Sequence, residues 1–379
     1  MKRKCSAFMF DRKYFVSTAS AVWFTFGLSL IGFAFDNYEL RKIVNSKTFS
    51  QVIAINSSLD VIGTREVAEG PFQFTKDFFQ NGDDEVEIRI PKEFTNLEAF
   101  AISDSGLVVG YISRTFQSDG GSVRAFVWDR RTKEMTLLDP LPSDTVCHAQ
   151  DISSDGNLIT GYSVGSLPPR TRPCVWEWTQ ESRSWRVQEL STIIPNNPYL
   201  QASQVIVSPD GKRIAACITE EQISDIIFNS SLFVWERGEG LEWERRKISD
   251  EQLKLKDMNN IGTIVGRLLL DGVKRACYIE LTGRLEIMDL LPDKTSSEAN
   301  GITNTGVIVG MCDNEARETG GPTAFIFRNG VVAQLELPDN TVCSTALGIN
   351  QDEAICGYML RDTGEDAAIH AFIRIPHKK

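Results

Sequence analysis

Histidine is scarce in this chain, which has only His148, His370 and His377 among its 379 residues. No two of them have metal-ligand spacing, and the His-Glu-x-x-His and Cys-x-x-Cys patterns of common metal sites do not occur. The glycine patterns of P-loops and of dinucleotide-binding folds are also missing from the sequence. We therefore expect no bound metal ion and no cofactor.

Positive charge is also in the minority. The chain has 40 Lys and Arg residues against 51 Asp and Glu residues, which gives a formal net charge of −11. Such an acidic surface keeps a protein soluble and repels phosphate groups and anionic lipids. Because nucleic-acid binding depends on neutralising phosphates with basic side chains, we expect no nucleic-acid partner.

Five of the basic residues lie within residues 1–34, where they precede an uncharged stretch at 15–35. A basic start, an apolar stretch and small residues such as Gly32 and Ala34 are typical of a secretory signal peptide, here residues 1–34, cleaved after Ala34. The alternative is an uncleaved anchor, because a stretch of this length can span a bilayer. Both interpretations predict an exported protein, periplasmic, on the cell surface or secreted, with membrane contact only if 15–35 remains as an anchor.

The eight cysteines are scattered along the chain, and Cys5 belongs to the export segment. Small disulfide-rich secreted domains place their cysteines at short spacings instead. Cys174 and Cys277 stand where related segments of this chain have Phe. We therefore expect buried free thiols that act as small apolar side chains, with a disulfide bridge as the alternative.

One short pattern occurs seven times: an aliphatic residue, a small polar residue, two spacers, Gly, three mostly apolar residues and Gly. The segment 102–110 is a clear copy. The aliphatic residues, called anchors below, are Ile55, Ile102, Ile152, Val207, Met258, Ile302 and Ile349. Their spacing of 44 to 55 residues is typical of the four-stranded blade of a β-propeller.

Each copy has the features of a β-hairpin. The polar residue after the anchor can hydrogen-bond the turn backbone, and the first Gly can adopt the positive φ of a tight turn. Leu59 and Glu353 replace this Gly in the first and last copies, so we expect different turns there. The second Gly is expected to permit close approach of neighbouring blades, and small residues such as Ala99 and Ala149 are expected to line a narrow channel.

A third strand such as Ala125-Phe126-Val127-Trp128 follows each hairpin, and a fourth strand follows the third. The last repeat stops after its third strand, whereas residues 39–44 precede the first hairpin without a blade of their own. We therefore predict an all-β fold, a seven-bladed β-propeller over residues 35–379. The strand at residues 39–44 would complete the last blade and close the ring, leaving no long exposed edge.

The third strand of the last repeat opens with His370-Ala371-Phe372, and related triplets occur at Arg124-Ala125-Phe126 and Thr323-Ala324-Phe325. Together with the hairpin pattern, these triplets resemble the extracellular HAF-repeat proteins of bacteria over about residues 39–379. The resemblance implies export and a propeller-like fold. It implies no particular activity and no functional residues.

Binding is expected on the variable loops that share one end of the ring, because loops on a rigid scaffold carry most binding sites. We predict a monomer that binds a protein or glycan partner through these loops. They are residues 111–123, 163–172, 219–230, 313–322 and 359–369. The candidate binding residues are basic side chains on this acidic protein, Arg114, His148, Arg170, Arg172 and Arg361. The simpler interpretation of each of them is a solvated charge.

A Gly-x-Ser-x-Gly pattern occurs once, around Ser163. The nucleophile elbow that this pattern marks in hydrolases joins a strand to a helix, and the repeat leaves no room for a helix here. We therefore predict no catalytic residues, and the main hypothesis is a non-catalytic binding protein of the cell envelope or extracellular space.

Two alternatives to this hypothesis remain open at the level of sequence. A propeller enzyme, a hydrolase or lyase acting on a glycan or small molecule, would gather carboxylates from different blades at the channel mouth, with perturbed pKa values. A structural protein without a ligand would instead have a plugged channel.

Overall fold

The computed structural model describes residues 38–42, 49–69, 72–114, 123–166, 169–190, 201–222, 228–238, 242–314, 321–361 and 369–377. Within these ranges the chain forms strands and turns, and no helix is long and apolar enough to cross a membrane. The predicted export segment, residues 1–34, lies outside the described residues. Large parts of the predicted binding loops, such as 115–122 and 362–368, also lie outside them.

Five sheets have four strands each. The first two of these sheets are β2 (Ser50–Ile55), β3 (Val61–Glu69), β4 (Phe72–Asn81) and β5 (Asp84–Glu87), and β6 (Asn96–Ile102), β7 (Leu107–Ser113), β8 (Val123–Asp129) and β9 (Glu134–Leu137). The next two are β18 (Leu253–Met258), β19 (Ile264–Leu270), β20 (Val273–Ile279) and β21 (Leu285–Ile287), and β22 (Ser296–Ile302), β23 (Ile308–Asp313), β24 (Thr323–Arg328) and β25 (Val331–Gln334). The fifth combines β26 (Thr341–Ile349), β27 (Ile355–Arg361) and β28 (Ile369–Pro376) with β1 (Tyr38–Lys42), the first strand of the chain.

The remaining eight strands form one sheet. They are β10 (Asp144–Ile152), β11 (Leu158–Ser166), β12 (Pro169–Thr179), β13 (Ser184–Glu189), β14 (Gln201–Val207), β15 (Arg213–Gln222), β16 (Phe228–Arg237) and β17 (Trp243–Ser249). Strands β12 and β14 are joined by a single parallel pair, Thr171 with Gln201, and all the other strand pairs are antiparallel.

This arrangement confirms the prediction of an all-β propeller. The separate four-stranded blades number five rather than the seven expected, because the parallel pair between β12 and β14 merges two repeats into one sheet. Strand β1 pairs antiparallel with β28, from Tyr38 opposite Pro376 to Lys42 opposite Phe372. Residues 43 and 44 of the predicted strand 39–44 lie outside the described residues.

The hairpin prediction is confirmed at the level of single residues. All seven first strands end at the predicted anchors, and a polar side chain follows each one. The Ser103 hydroxyl, for example, accepts the Leu107 N–H at 3.0 Å and holds the turn closed. The expectation of different turns in the first and last copies is wrong, because Leu59 and Glu353 adopt φ of 63° and 62°, in the same left-handed region as Gly106 at 82°.

The second glycine of the repeat lies against the first strand of its own sheet. A Cβ at Gly110 would be 2.0 Å from the Glu98 carbonyl oxygen, and a Cβ at Gly161 would be 1.9 Å from the His148 carbonyl oxygen. Beside these contacts the first strands carry β-bulges, which bring the strand backbones close together. The predicted close approach therefore exists, but it is within a sheet and not between neighbouring blades.

The hydrophobic core lies between successive groups of four strands. One core cluster combines Val127 of β8 with Cys174 and Trp176 of β12, and another combines Phe78 of β4 with Ile373 of β28. The seven described cysteines are all unpaired, and all but Cys343 are buried, which confirms the expectation of free thiols.

Small residues near the start of the first strands belong to the same core. Ala99 and Ala149 are 2% and 0% exposed and pack within core clusters. The expectation that they line the central channel is therefore wrong. The residues that face the channel lie further along these strands, at and after the bulges.

Candidate functional site

The seven hairpins that begin the repeats are tied to one another by hydrogen bonds of 2.8 to 2.9 Å. We call this series the hairpin belt. In each bond a residue of one hairpin donates to a residue of the next. The donor and acceptor pairs are Ser57 and Asp104, Asp104 and Ser154, Ser154 and Pro209, Asp210 and Asn260, Asn260 and Asn304, Asn304 and Gln351, and Asn350 and Asn56. The last of these bonds connects the last hairpin to the first.

A cavity of about 190 Å³, here called the central cavity, lies inside the hairpin belt. Residues of all seven repeats line it, because their first strands converge there. Apolar side chains and many polar groups line it together, and Lys256, Asn300, Asp151 and Asp257 are among the residues that bring charge or hydrogen-bonding groups. The central cavity is therefore the place where side chains from distant parts of the sequence meet.

Asp151 and Asp257 occupy the same position in their repeats, immediately before the anchor. Each carboxylate accepts two backbone N–H groups. Asp151 accepts those of Val207 at 2.9 Å and of its own neighbour Ile152 at 2.8 Å. Asp257 accepts those of Ile302 at 2.9 Å and of its own neighbour Met258 at 2.7 Å. In both cases the first donor is the anchor of the next repeat, so each carboxyl also ties two repeats together.

Both carboxyls titrate far above the usual range for aspartate. Burial raises the pKa of Asp151 to about 7, and the backbone N–H donors offset only part of this effect. Burial also raises the pKa of Asp257 to about 7, and the negative charge of Asp151 raises it further. Because both pKa values are about 7, the two carboxyls together hold about one proton at neutral pH.

Glu98, His148 and Lys254, which we call the mouth, precede the bulges of β6, β10 and β18 at equivalent register positions and lie outside the lining of the central cavity itself. His148 lies between two tyrosine rings, with centroid distances of 4.5 Å to Tyr111 and 4.7 Å to Tyr162. Burial lowers the pKa of His148 to about 4, so its imidazole is neutral at neutral pH. This side of the mouth is an uncharged aromatic wall with the exposed Glu98 beside it.

The mouth at β18 is cationic. Glu298 forms ion pairs of 2.7 Å with both Lys256 and Arg267. Lys254 lies beside these cations, and its pKa is lowered by burial and by the charges of Lys256 and Arg267. Because a single carboxylate faces three cations here, this side can receive the negative group of a ligand.

A third buried carboxyl lies between the first two repeats. Asp77 accepts the Ala99 N–H at 2.9 Å, and it stands on β4 where four of the other repeats have Ala. Burial raises its pKa to about 7, and the charge of Glu98 acts in the same direction. Asp77 is absent from the lining of the central cavity, so we assign it to the packing of the repeats.

The predicted binding residue Arg172 is engaged in the fold. It is buried, and its guanidinium forms ion pairs of 2.9 Å with Asp144 and 2.7 Å with Glu189. Its charge is therefore compensated within its own sheet. His148 lies in strand β10 and not in a connecting loop, and Cys147 beside it points into the core, as alternation along a strand requires.

The other arginine candidates are held at separate places. The Arg114 guanidinium stacks over the Phe94 ring at 5.2 Å, and the Arg361 Nε donates to the Asn340 side chain at 3.0 Å. Arg170 lies on β12 opposite Gly165. The role of these residues in binding stays a prediction.

Sequence reasoning missed Asp151 and Asp257, although a signal was present. The residue before the anchor is apolar or Gly in the other five repeats, namely Ala54, Ala101, Ile206, Gly301 and Gly348. A carboxylate at this position in only two repeats departs from the pattern of the fold. Ser163, the only serine with an elbow-like sequence, is buried and accepts the Leu141 N–H at 3.0 Å, as expected for a structural residue.

No protein-family model matches the sequence, and no curated protein matches it. Solved structures match the fold. The β-propeller domain of the Trilobed protease from Pyrococcus furiosus matches with a TM-score of 0.55 and 14% identity, over 87% of this chain and 95% of that one. A prolyl endopeptidase matches with a TM-score of 0.56 and 11% identity, over 88% of this chain and 51% of that one. The acylaminoacyl peptidase of Pyrococcus horikoshii matches with a TM-score of 0.53 and 10% identity, over 87% of this chain and 52% of that one.

These comparisons define the class of the protein as a β-propeller like those of peptidases. The chain spans about half the length of the prolyl endopeptidase and of the acylaminoacyl peptidase. At 10 to 14% identity, the likeness shows the fold alone. Because the matching propellers belong to peptidases, the expectations of a non-catalytic binding protein and of a chain that is not an enzyme are corrected. The alternative of a propeller enzyme agrees better with these comparisons.

Proposed function

We propose that this chain is a hydrolase that cleaves peptides in its central cavity. The observation that carries the proposal is the pair of Asp151 and Asp257, two carboxyls from different repeats that line one cavity and hold about one proton between them at neutral pH. An ionised and a protonated carboxyl in one site are the base and the acid that amide hydrolysis needs. The peptidase propellers with the same fold support an amide bond as the target.

The proposed reaction assigns one role to each carboxyl. Asp151, ionised, takes a proton from a water molecule as the water oxygen forms a bond to the amide carbon. Asp257, protonated, gives its proton to the departing amide nitrogen as the carbon–nitrogen bond breaks. The products are a carboxylic acid and an amine, and the proton on Asp151 returns to Asp257 through water before the next cycle.

The mouth accounts for how a peptide would be held during this reaction. The aromatic wall around His148 offers an apolar face for a side chain, and Glu98 beside it offers a partner for an amino group. The cations at Lys254 and Arg267 offer partners for a carboxylate. Because the central cavity is small, an extended segment and not a folded protein would enter it.

We further propose that the eight-stranded sheet represents two blades, which gives a ring of seven closed by β1. The seven linked hairpins and the pairing of β1 with β28 support this count. The Pyrococcus furiosus propeller is described as having an open velcro topology, so the two proteins would differ in this feature. Export and membership of the HAF-repeat family are proposed from the sequence patterns at residues 1–34 and 370–372.

The proposal is tested by incubating the purified chain with a mixture of synthetic peptides and detecting cleavage products by mass spectrometry. We expect cleavage that is lost in Asp151→Asn and in Asp257→Asn. The matched control is Asp271→Asn, which changes an exposed aspartate in the turn between β19 and β20. Absence of any product from the unchanged chain, or full activity of both cavity variants, would reject the proposal.

A further inference from the structure

A larger cavity of about 1,120 Å³ lies on the first three repeats, away from the central cavity. Its walls come from the turns β4–β5, β8–β9 and β10–β11 and from strands β12 and β13. Neither Asp151 nor Asp257 lines it, and neither does any residue of the mouth. We call it the tryptophan groove, after Trp178 and Trp185. Its size is that of a ligand site.

Two partly buried indole rings form one wall of the tryptophan groove. Trp178 on β12 and Trp185 on β13 are paired across the strands, with their ring centroids 5.4 Å apart and the ring planes at 64°. By contrast, Trp128, Trp176 and Trp235 are fully buried in the core. Trp185 also packs against the core cluster of Val127 and Trp176, so the part of the indole surface that faces the groove is an apolar surface available to a ligand.

A fixed guanidinium stands on another wall of the groove. Arg130 forms an ion pair with Asp60, a carboxylate that is fully buried. Asp60 also accepts hydrogen bonds from the amides of Asn56 and Asn81. About a third of the Arg130 side chain remains exposed. Its guanidinium is therefore pre-organised, and ordering it on binding costs little entropy.

The remaining polar lining mixes both signs of charge with neutral groups. Five carboxylates line the groove beside three cations, and hydroxyl and amide groups line it as well: Asp84, Glu85, Asp129, Glu134 and Asp155; Arg130, Arg131 and Lys133; Ser105, Thr132, Thr136 and Asn157. Carboxylates outnumber cations, so a polyanionic ligand is disfavoured. Neutral groups that both donate and accept hydrogen bonds satisfy such a lining best.

We propose that the tryptophan groove binds a neutral oligosaccharide. The apolar face of a sugar ring packs against an indole ring, while its hydroxyl groups donate to the carboxylates and accept from Arg130 and Asn157. The inference does not depend on the proposed hydrolase activity, because no residue of the acid pair takes part.

The test measures binding of three neutral hexasaccharides, cellohexaose, chitohexaose and maltohexaose, to the full chain by calorimetry, with tryptophan fluorescence as a second readout. We expect at least one of them to bind and to change the fluorescence. Trp185→Ala and Trp178→Ala should each weaken that binding at least about tenfold, because each removes a stacking surface. Trp185→Phe keeps an aromatic face and should retain part of the affinity.

The matched control is Tyr278→Ala, which removes a half-buried aromatic ring of β20 that packs on Phe327 outside the groove. It should leave sugar binding unchanged. Absence of binding of all three sugars at millimolar concentration, unchanged affinity in both tryptophan variants, or binding of oligolysine in place of the sugars would overturn the proposal. Sugar binding should persist in Asp257→Asn, because Asp257 does not line the groove. The sugar-binding proposal and the hydrolase proposal can therefore be accepted or rejected independently.

Discussion

The side-chain amide of Asn350 donates a hydrogen bond of 2.9 Å to the carbonyl oxygen of Asn56, which lies 294 residues earlier in the chain. Asn259 makes the corresponding bond in the interior of the ring, at 3.2 Å to the Thr303 carbonyl oxygen. In both cases the amide oxygen also accepts a turn N–H at 2.9 Å. The junction between the last and first hairpins therefore has the same geometry as an ordinary junction.

This equivalence predicts equal costs for two substitutions. Asn350→Ala and Asn259→Ala should each lower the free energy of unfolding by about 1–3 kcal/mol, because each removes the hydrogen bond to the next hairpin and leaves a turn N–H without its side-chain acceptor. Urea unfolding followed by tryptophan fluorescence measures both values. A cost for Asn350→Ala that is near zero, beside a normal cost for Asn259→Ala, would mean that the ends of the ring are not stably joined.

Strand β1 should be needed for stability. Leu40 packs against the core cluster that contains Phe372 and Ala346, while Arg41 is exposed. Leu40→Asp places a charge in that contact and should lower the melting temperature by several degrees, whereas Arg41→Ala should change it little. Deletion of residues 38–42 should also cause aggregation, because it leaves the edge of β28 unpaired. Thermal melting and light scattering of the three variants test the role of β1, and unchanged behaviour of the deletion variant would contradict it.

Stability should fall as the pH rises from 5 to 7.5. The pKa values of Asp77, Asp151 and Asp257 are raised to about 7 in the folded protein, so between pH 4 and 7 the folded state binds more protons than the unfolded state. Their contribution is fully present below the unfolded pKa of about 4 and is lost as the pH rises through 7.

The lowered pKa of His148 makes the stability rise with pH between 4 and 6.5. This gain offsets only part of the loss that the three carboxyls cause. We expect a loss on the order of 5 kcal/mol between pH 5 and 7.5, measured as a lower melting temperature. Asp151→Asn should reduce this pH dependence by a third or more, because it removes one of the three carboxyls. A melting temperature that rises over the same range would show that these carboxyls are not protonated in the fold.

The buried thiols should be unreactive in the folded protein. Burial raises the pKa of Cys217 to about 12, and it also raises the pKa values of Cys174 and Cys356. Because the thiolate is the reactive form, iodoacetamide at pH 8 should label these residues only after unfolding. Cys343 is half-buried and should be labelled faster than the others. Peptide mass spectrometry measures the rates, and a disulfide between any two of these cysteines would contradict this prediction.

Much of the fold could be predicted from the sequence because the repeat pattern is local. The anchor, the polar residue after it and the turn glycine act within a few residues of one another, so each hairpin is visible in a short segment such as Ile102–Gly110. The merging of β12 with β14 depends on one contact between Thr171 and Gln201, which no local pattern reveals.

The candidate site was harder to predict because its groups come from different repeats. Asp151 and Asp257 are 106 positions apart in the numbering, and their shifted pKa values arise from burial inside the ring and not from their sequence neighbours. The aromatic wall likewise joins Tyr111 of one repeat to His148 of the next. Such sites follow from the packing of the repeats in space, which has to be known before the groups can be placed together.

The pH dependence of the turnover rate on a cleaved peptide tests the acid pair most directly. The account predicts a bell-shaped profile near neutral pH, because the rate requires one ionised and one protonated carboxyl. Asp151→Asn and Asp257→Asn should each reduce the rate by about 100-fold or more while the variants remain folded, and Asp271→Asn should keep the full rate and the same profile. A profile that stays bell-shaped at the same rate in both cavity variants would contradict the assignment of the reaction to this pair.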